Sequence, residues 1–74
     1  MSNNIAIAIA IAIADALTLL LHNQHGLAAA IEEVALWAKS SGSPDVHESV
    51  ISALETIDGN ASAITDAINQ IRQA

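Results

Sequence analysis

At 74 residues the chain has room for one domain at most, and a core of that size ordinarily supplies only about 3 to 5 kcal/mol of net stability. Apolar residues make up 53% of it, charged residues only 14%, and there is no cysteine, so disulfides cannot add what a small core lacks and association is the remaining device. A net charge of -6 repels phosphate backbones and anionic lipid, and Trp37 is the sole aromatic side chain beyond histidine, which together exclude the usual modes of nucleic-acid binding.

Residues 5 to 14 are a strict isoleucine-alanine alternation, followed by Asp15, Ala16 and the run Leu17-Thr18-Leu19-Leu20-Leu21. A period of two is nominally that of a strand, but alanine is a poor strand former and nothing else in the chain offers a partner strand. A helix over about 4 to 22 is expected, with strand pairing between chains as the alternative. At about 100° per residue Ile5, Ile9, Ile13, Leu17 and Leu20 form one stripe, while Ile7 and Ile11 lie opposite it with Asp15 and Thr18. A helix apolar on both sides must be covered, and the whole set Ile5, Ile7, Ile9, Ile11 and Ile13 is therefore expected at an interface between copies of the chain.

Lipid is the other possible cover, since residues 5 to 21 approach the length of a membrane span. Asp15 inside the segment, the lack of flanking lysine or arginine and the lack of a basic leader region argue against it, so a cytoplasmic location is expected.

His22-Asn23-Gln24-His25-Gly26 is the first polar interruption, with Gly26 suited to a helix C-cap, so a second helix is expected from about 27 to 40. Leu27, Ile31, Val34 and Ala38 make its inner stripe, with Ala30 and Trp37 flanking. Leu36 falls beside Glu32 and Glu33, which marks Leu36, Trp37, Glu32 and Glu33 as a candidate contact patch for another protein.

Ser43-Pro44-Asp45 is the clearest boundary: a capping serine, proline at the first helical position and a carboxylate at the positive end of the helix dipole. The third helix is expected over about 44 to 73, because Val50, Leu54, Ile57, Ala61, Ile64, Ile68 and Ile71 recur at heptad spacing. That frame puts Gly59 at the outermost position, where it costs about 1 kcal/mol relative to alanine and is carried within the helix; a break there is the alternative. The fold expected is all-α, a helical hairpin or three-helix bundle forming one domain over residues 1 to 74, with a long heptad-patterned C-terminal helix and a tendency to oligomerise.

Chemistry-bearing groups are sparse. His22 and His25 have the spacing of half a metal site, but no third ligand lies nearby, so no metal and no cofactor are expected. His47 falls on the heptad seam, where protonation would place charge in an apolar contact, making it a candidate pH-sensitive residue. No serine sits in a glycine elbow, and there is no phosphate-binding loop or calcium loop, so an enzyme is not expected.

A helix, the turn Lys39-Ser40-Ser41-Gly42-Ser43-Pro44-Asp45 and a longer C-terminal helix, over residues 27 to 74, loosely resemble the hairpin subunits of type III secretion needles and their small helical chaperones. The resemblance implies assembly through helical hairpins; the isoleucine-alanine run departs from it, and no functional residue carries over. Three functions compete at this point. The first is a small acidic oligomeric protein-binding module (a regulator, adaptor or inhibitor of the kind phages and mobile elements encode), with itself and another protein as partners. The second is a structural subunit of a helical filament. The third is a short membrane-associated protein using residues 5 to 21.

Overall fold

The computed structural model describes residues 2–73 and contains two helices, α1 (Ser2–Ser40) and α2 (Pro44–Gln73), with no strand among the described residues. They form an antiparallel hairpin 62 Å long and 14 by 12 Å across. The all-α expectation and the hairpin alternative agree with this architecture; the three-helix bundle does not.

The expected break at 22–26 is absent, because α1 runs through His22-Asn23-Gln24-His25-Gly26 without interruption. Gly26 does not take the left-handed conformation a C-cap requires; Gly42 does, with φ of 73°. At that true terminus the Ser43 N–H donates to the Ala38 carbonyl at 3.0 Å and the Gly42 N–H donates to the Lys39 carbonyl at 3.3 Å. These two bonds, six-to-one and five-to-two around a left-handed glycine, are the Schellman arrangement and satisfy carbonyls that the helix end would otherwise orphan. The Ser43 carbonyl then accepts from the His47 N–H at 3.0 Å, which starts α2. Gly59 lies inside α2, and the helix continues through it.

A continuous α1 has one phase from end to end, and this changes which residues face inward. The buried and half-buried positions of α1 are Ala10, Ala14, Leu17, Thr18, Leu21, Gln24, Ala28, Ile31, Ala35 and Ala38, a stripe recurring every three and four residues. The stripes expected from two separate helices are therefore corrected: Leu17, Ile31 and Ala38 do face α2, but Ile5, Ile9, Ile13, Leu20, Leu27 and Val34 are exposed. Facing this stripe, α2 turns inward His47, Val50, Leu54, Ile57, Ala61, Ile64, Ala67, Ile68 and Ile71. The seam is asymmetric, with mostly small residues on α1 and large ones on α2. Alanine lets the helix backbones approach closely, and Ala38, where the two helices converge on the turn, has no solvent exposure at all.

Only Ala14, Ala35, Ala38 and Ile68 are fully buried. α1 has 39 residues and α2 has 30, so the first nine or so residues of α1 project beyond the end of α2, by about 13 Å at 1.5 Å per residue. This free arm holds most of the isoleucine-alanine run. On it Ile5, Ile7 and Ile9 are more than half exposed, and Ala10, half-buried, begins the inward stripe.

The glycines give a direct test of the single long helix. A side-chain carbon added at Gly26 or Gly59 meets nothing within 4 Å, whereas Gly42 is held at positive φ. Gly26→Ala and Gly59→Ala are each expected to raise stability by about 0.5 to 1 kcal/mol, and Gly42→Ala to lower it by about 1 kcal/mol. Urea unfolding followed by far-ultraviolet circular dichroism, at one fixed protein concentration, checks all three; a loss on Gly26→Ala would show a bend where the helix is continuous.

Candidate protein-interaction surface

The hairpin exposes 5373 Å² of surface, against roughly 4,300 Å² expected for a compact monomer of its mass. The difference of about 1,100 Å² reflects the elongated two-helix shape, and the large apolar residues left exposed on it are arranged in three places.

The first is the free arm. Ile5, Ile7, Ile9, Ile11 and Ile13, expected at an interface, are all exposed, from 65% at Ile5 to 46% at Ile13. Ile7 and Ile11 border a groove of about 410 Å³ with Ala10, Ala14, Asp15, Ile71 and Arg72, where the arm leaves the end of α2.

The second lies along one flat side of the hairpin. Ile13, Leu20, Leu27 and Val34 stand seven residues apart in α1 and are 46% to 51% exposed, neither core nor fully solvated. Residues seven apart drift only about 20° round a straight helix, so these four make one ridge along α1. On the same side α2 presents Val46, Ala53, Asn60 and Ala67, also seven apart, and a groove lined by Ile31, Val34, Val46, Ser49, Val50 and Ala53, with Asp45 at its turn end, runs between the two rows. No charged residue occupies either row. The opposite side carries Ile11, Thr18, His25, Glu32 and Lys39 on α1 with Ile51, Asp58, Thr65 and Arg72 on α2, so the charges flanking the seam are confined to it.

The third is the patch near the turn. Leu36 and Trp37 are 60% and 65% exposed in the last turns of α1, with Glu32 and Glu33 exposed beside them. Leu36 and Glu32 border a shallow groove on the charged side with Ala35, Lys39, His47, Ile51 and Leu54, and Trp37 lies one residue on, about 100° round the helix.

His47 is half-buried under the turn, where it borders a pocket with Ala38, Lys39, Gly42, Ser43 and Pro44. His22 and His25 are exposed, and among the described residues no three metal-binding side chains cluster. Gln24 interrupts the inner stripe of α1, and its Oε1 atom is buried without a hydrogen-bond partner. Among the described residues no ion pair joins the two helices; Thr18, Thr56 and Thr65 instead satisfy their hydroxyls by donating to the carbonyls of Ala14, Ser52 and Ala61 one turn back.

The ridge Ile13-Leu20-Leu27-Val34 escapes a reading that restarts the helix at residue 27, because that reading assigns Leu20, Leu27 and Val34 to inner stripes. Its signal was present in the seven-residue recurrence across Gly26. Comparison with family models, with curated proteins and with solved structures gave no match.

Exposure predicts how substitutions divide. Leu36→Glu is expected to leave stability within about 0.5 kcal/mol, since its side chain is mostly in water, whereas Ala38→Leu forces a larger side chain into a closed seam and is expected to cost about 1 to 3 kcal/mol. Thermal unfolding of the two variants beside the parent chain measures the difference; equal losses would mean that the seam does not close around Ala38.

Proposed function

We propose that the chain is a non-catalytic protein-binding module, a small acidic regulator, adaptor or inhibitor, that works as a homo-oligomer held by coiled-coil packing of helical hairpins. The observation that carries this reading is the exposure of large apolar side chains along α1, on a hairpin whose surface is about 1,100 Å² greater than that of a compact monomer. Soluble monomers rarely carry large contiguous apolar patches, and here the arm and the ridge together set out eight large aliphatic side chains, each 46% to 65% exposed. The inward residues of both helices recur every three and four positions, which supports coiled-coil packing. In this reading Ile5, Ile7, Ile9, Ile11 and Ile13 are covered by other copies, and Leu36 and Trp37 with the neighbouring Glu32 and Glu33 are left to a target protein.

A second reading has its own support. α1 contains a window of mean hydropathy 2.3, of which only 6% is buried within the hairpin, and by length and composition Asn3–Ser40 is able to cross a membrane. Against it stand Asp15 inside the apolar run and the amphipathic pairing of α2, whose polar face would have to lie beside lipid. The surplus of carboxylates also weakens attraction to an anionic membrane surface.

Light scattering on a sizing column, in buffer without detergent and over a range of concentrations, separates these readings. A constant mass at a small multiple of 7.6 kDa is the expected result. A mass of 7.6 kDa itself would overturn the homo-oligomer, a mass that climbs without limit would favour a filament subunit, and recovery only in detergent would favour the membrane.

A further inference from the structure

We infer that the occupant of the uncharged side is a second copy of the same hairpin, related by a two-fold axis parallel to the helices, so that four helices form a bundle with both turns at one end and both isoleucine-alanine arms at the other. The inference rests on the self-association proposed above and adds to it the face, the stoichiometry and the orientation.

The area is sufficient. The two helices overlap over the 30 residues of α2, about 45 Å, and the side of a hairpin is roughly two helices or 20 Å wide, giving about 900 Å² per copy, close to the ~800 Å² per partner of a stable interface. The charge is suitable too. A molecule of net charge -6 would ordinarily repel its own copy, but the two rows Ile13-Leu20-Leu27-Val34 and Val46-Ala53-Asn60-Ala67 contain no ionised group. The charges flanking the seam lie on the far side, and the one carboxylate bordering the groove, Asp45, sits at its turn end and outside both rows.

Shape decides the orientation. Two hairpins meeting through this side have two simple two-fold arrangements. An axis across the helices lays α1 on α1, which sets Leu20 and Leu27 against their own copies while Ala53 and Ala67 face each other across a void; this combines overpacking with under-packing. An axis along the helices lays α1 of one copy on α2 of the other and permits no slip along the axis, so the register follows from the hairpin alone. Residues equidistant from Gly42 are level, as the groove shared by Val34, Val46 and Ala53 illustrates. Val34 then falls between the positions of Val46 and Ala53 of the partner subunit. Leu27 fills the gap between Ala53 and Asn60, and Leu20 the gap between Asn60 and Ala67. Large residues enter spaces between small ones, which is how bundle helices interlock.

The arms point the same way. With the axis across the helices each arm would stand alone in water at opposite ends; with the axis along them, the two arms project from the same end and Ile5, Ile7, Ile9 and Ile11 have apolar company. The lack of any cysteine allows a clean probe of this geometry. Ser41→Cys places a single thiol on the exposed turn, where a pyrene label reports another pyrene nearby by excimer fluorescence.

The test uses the full chain in three measurements. Light scattering is expected to give a dimer, twice 7.6 kDa; Leu20→Glu and Leu27→Glu are each expected to weaken association by about 100-fold, with Leu36→Glu close to the parent chain. Pyrene at Ser41→Cys is expected to give excimer emission that disappears on dilution with unlabelled chain. The pyrene result stands even if the glutamate variants fail to fold. A dimer without excimer emission, or a folded Leu27→Glu that remains fully dimeric, overturns this arrangement while leaving self-association in place. A monomeric parent chain overturns both.

Discussion

The closeness of the two helices along an alanine-lined seam is the constraint on which the rest of the molecule depends. Ala14, Ala28, Ala35 and Ala38 bring α1 against the isoleucines and leucines of α2, and that contact uses most of the large apolar residues α2 possesses. α1 is left with most of its own large residues unused, Leu17, Leu21 and Ile31 being the exceptions. Since a helix has one phase, turning the alanines inward rotates Ile13, Leu20, Leu27 and Val34 onto a shoulder and leaves Leu19 and Leu36 farther out. The apolar exterior is thus the direct geometric consequence of the close seam, and it does not reflect a loosely folded chain.

The polar residues follow the same division. Charges flanking the seam are gathered on one side of the hairpin, including Glu32, Lys39, Asp58 and Arg72, and the other side is left with aliphatic, alanine and asparagine positions. No ion pair is formed among the described residues, so the charges add solubility and direction without holding the helices together. Gln24 is the exception within the seam, a buried amide oxygen with no donor, and a polar group in that position makes one register of the helices costlier or cheaper than its neighbours.

How much of this could be read from the residues differs between the two helices. α2 was legible because Ser43-Pro44-Asp45 declares a start and large residues at Leu54, Ile57, Ile64, Ile68 and Ile71 mark its inner face without ambiguity. α1 was harder for two physical reasons. The polar group His22-Asn23-Gln24-His25-Gly26 has the composition of a turn, yet glycine in a helix interior costs only about 1 kcal/mol, less than the packing of a continuous helix returns. The inner face of α1 is also made largely of alanine, so a search for the most hydrophobic stripe selects the outside of the helix. The exposed isoleucines of the run were legible because alternation on a helix cannot place all of them on one side. The ridge through Leu20 and Leu27 was not, since its periodicity emerges only when the helix is carried across Gly26.

The unequal lengths of α1 and α2 have a consequence for the molecule as a whole. A hairpin with matched arms is alike in wetting at its two ends, whereas this one ends at one pole in Ser40-Ser41-Gly42-Ser43 and at the other in a bare helix of isoleucine and alanine. Along its 62 Å axis the two poles therefore differ, with serines closing the turn and Ile5, Ile7 and Ile9 exposed toward the opposite pole. The unequal helices thus give the molecule a direction along its length that a hairpin of matched helices would lack.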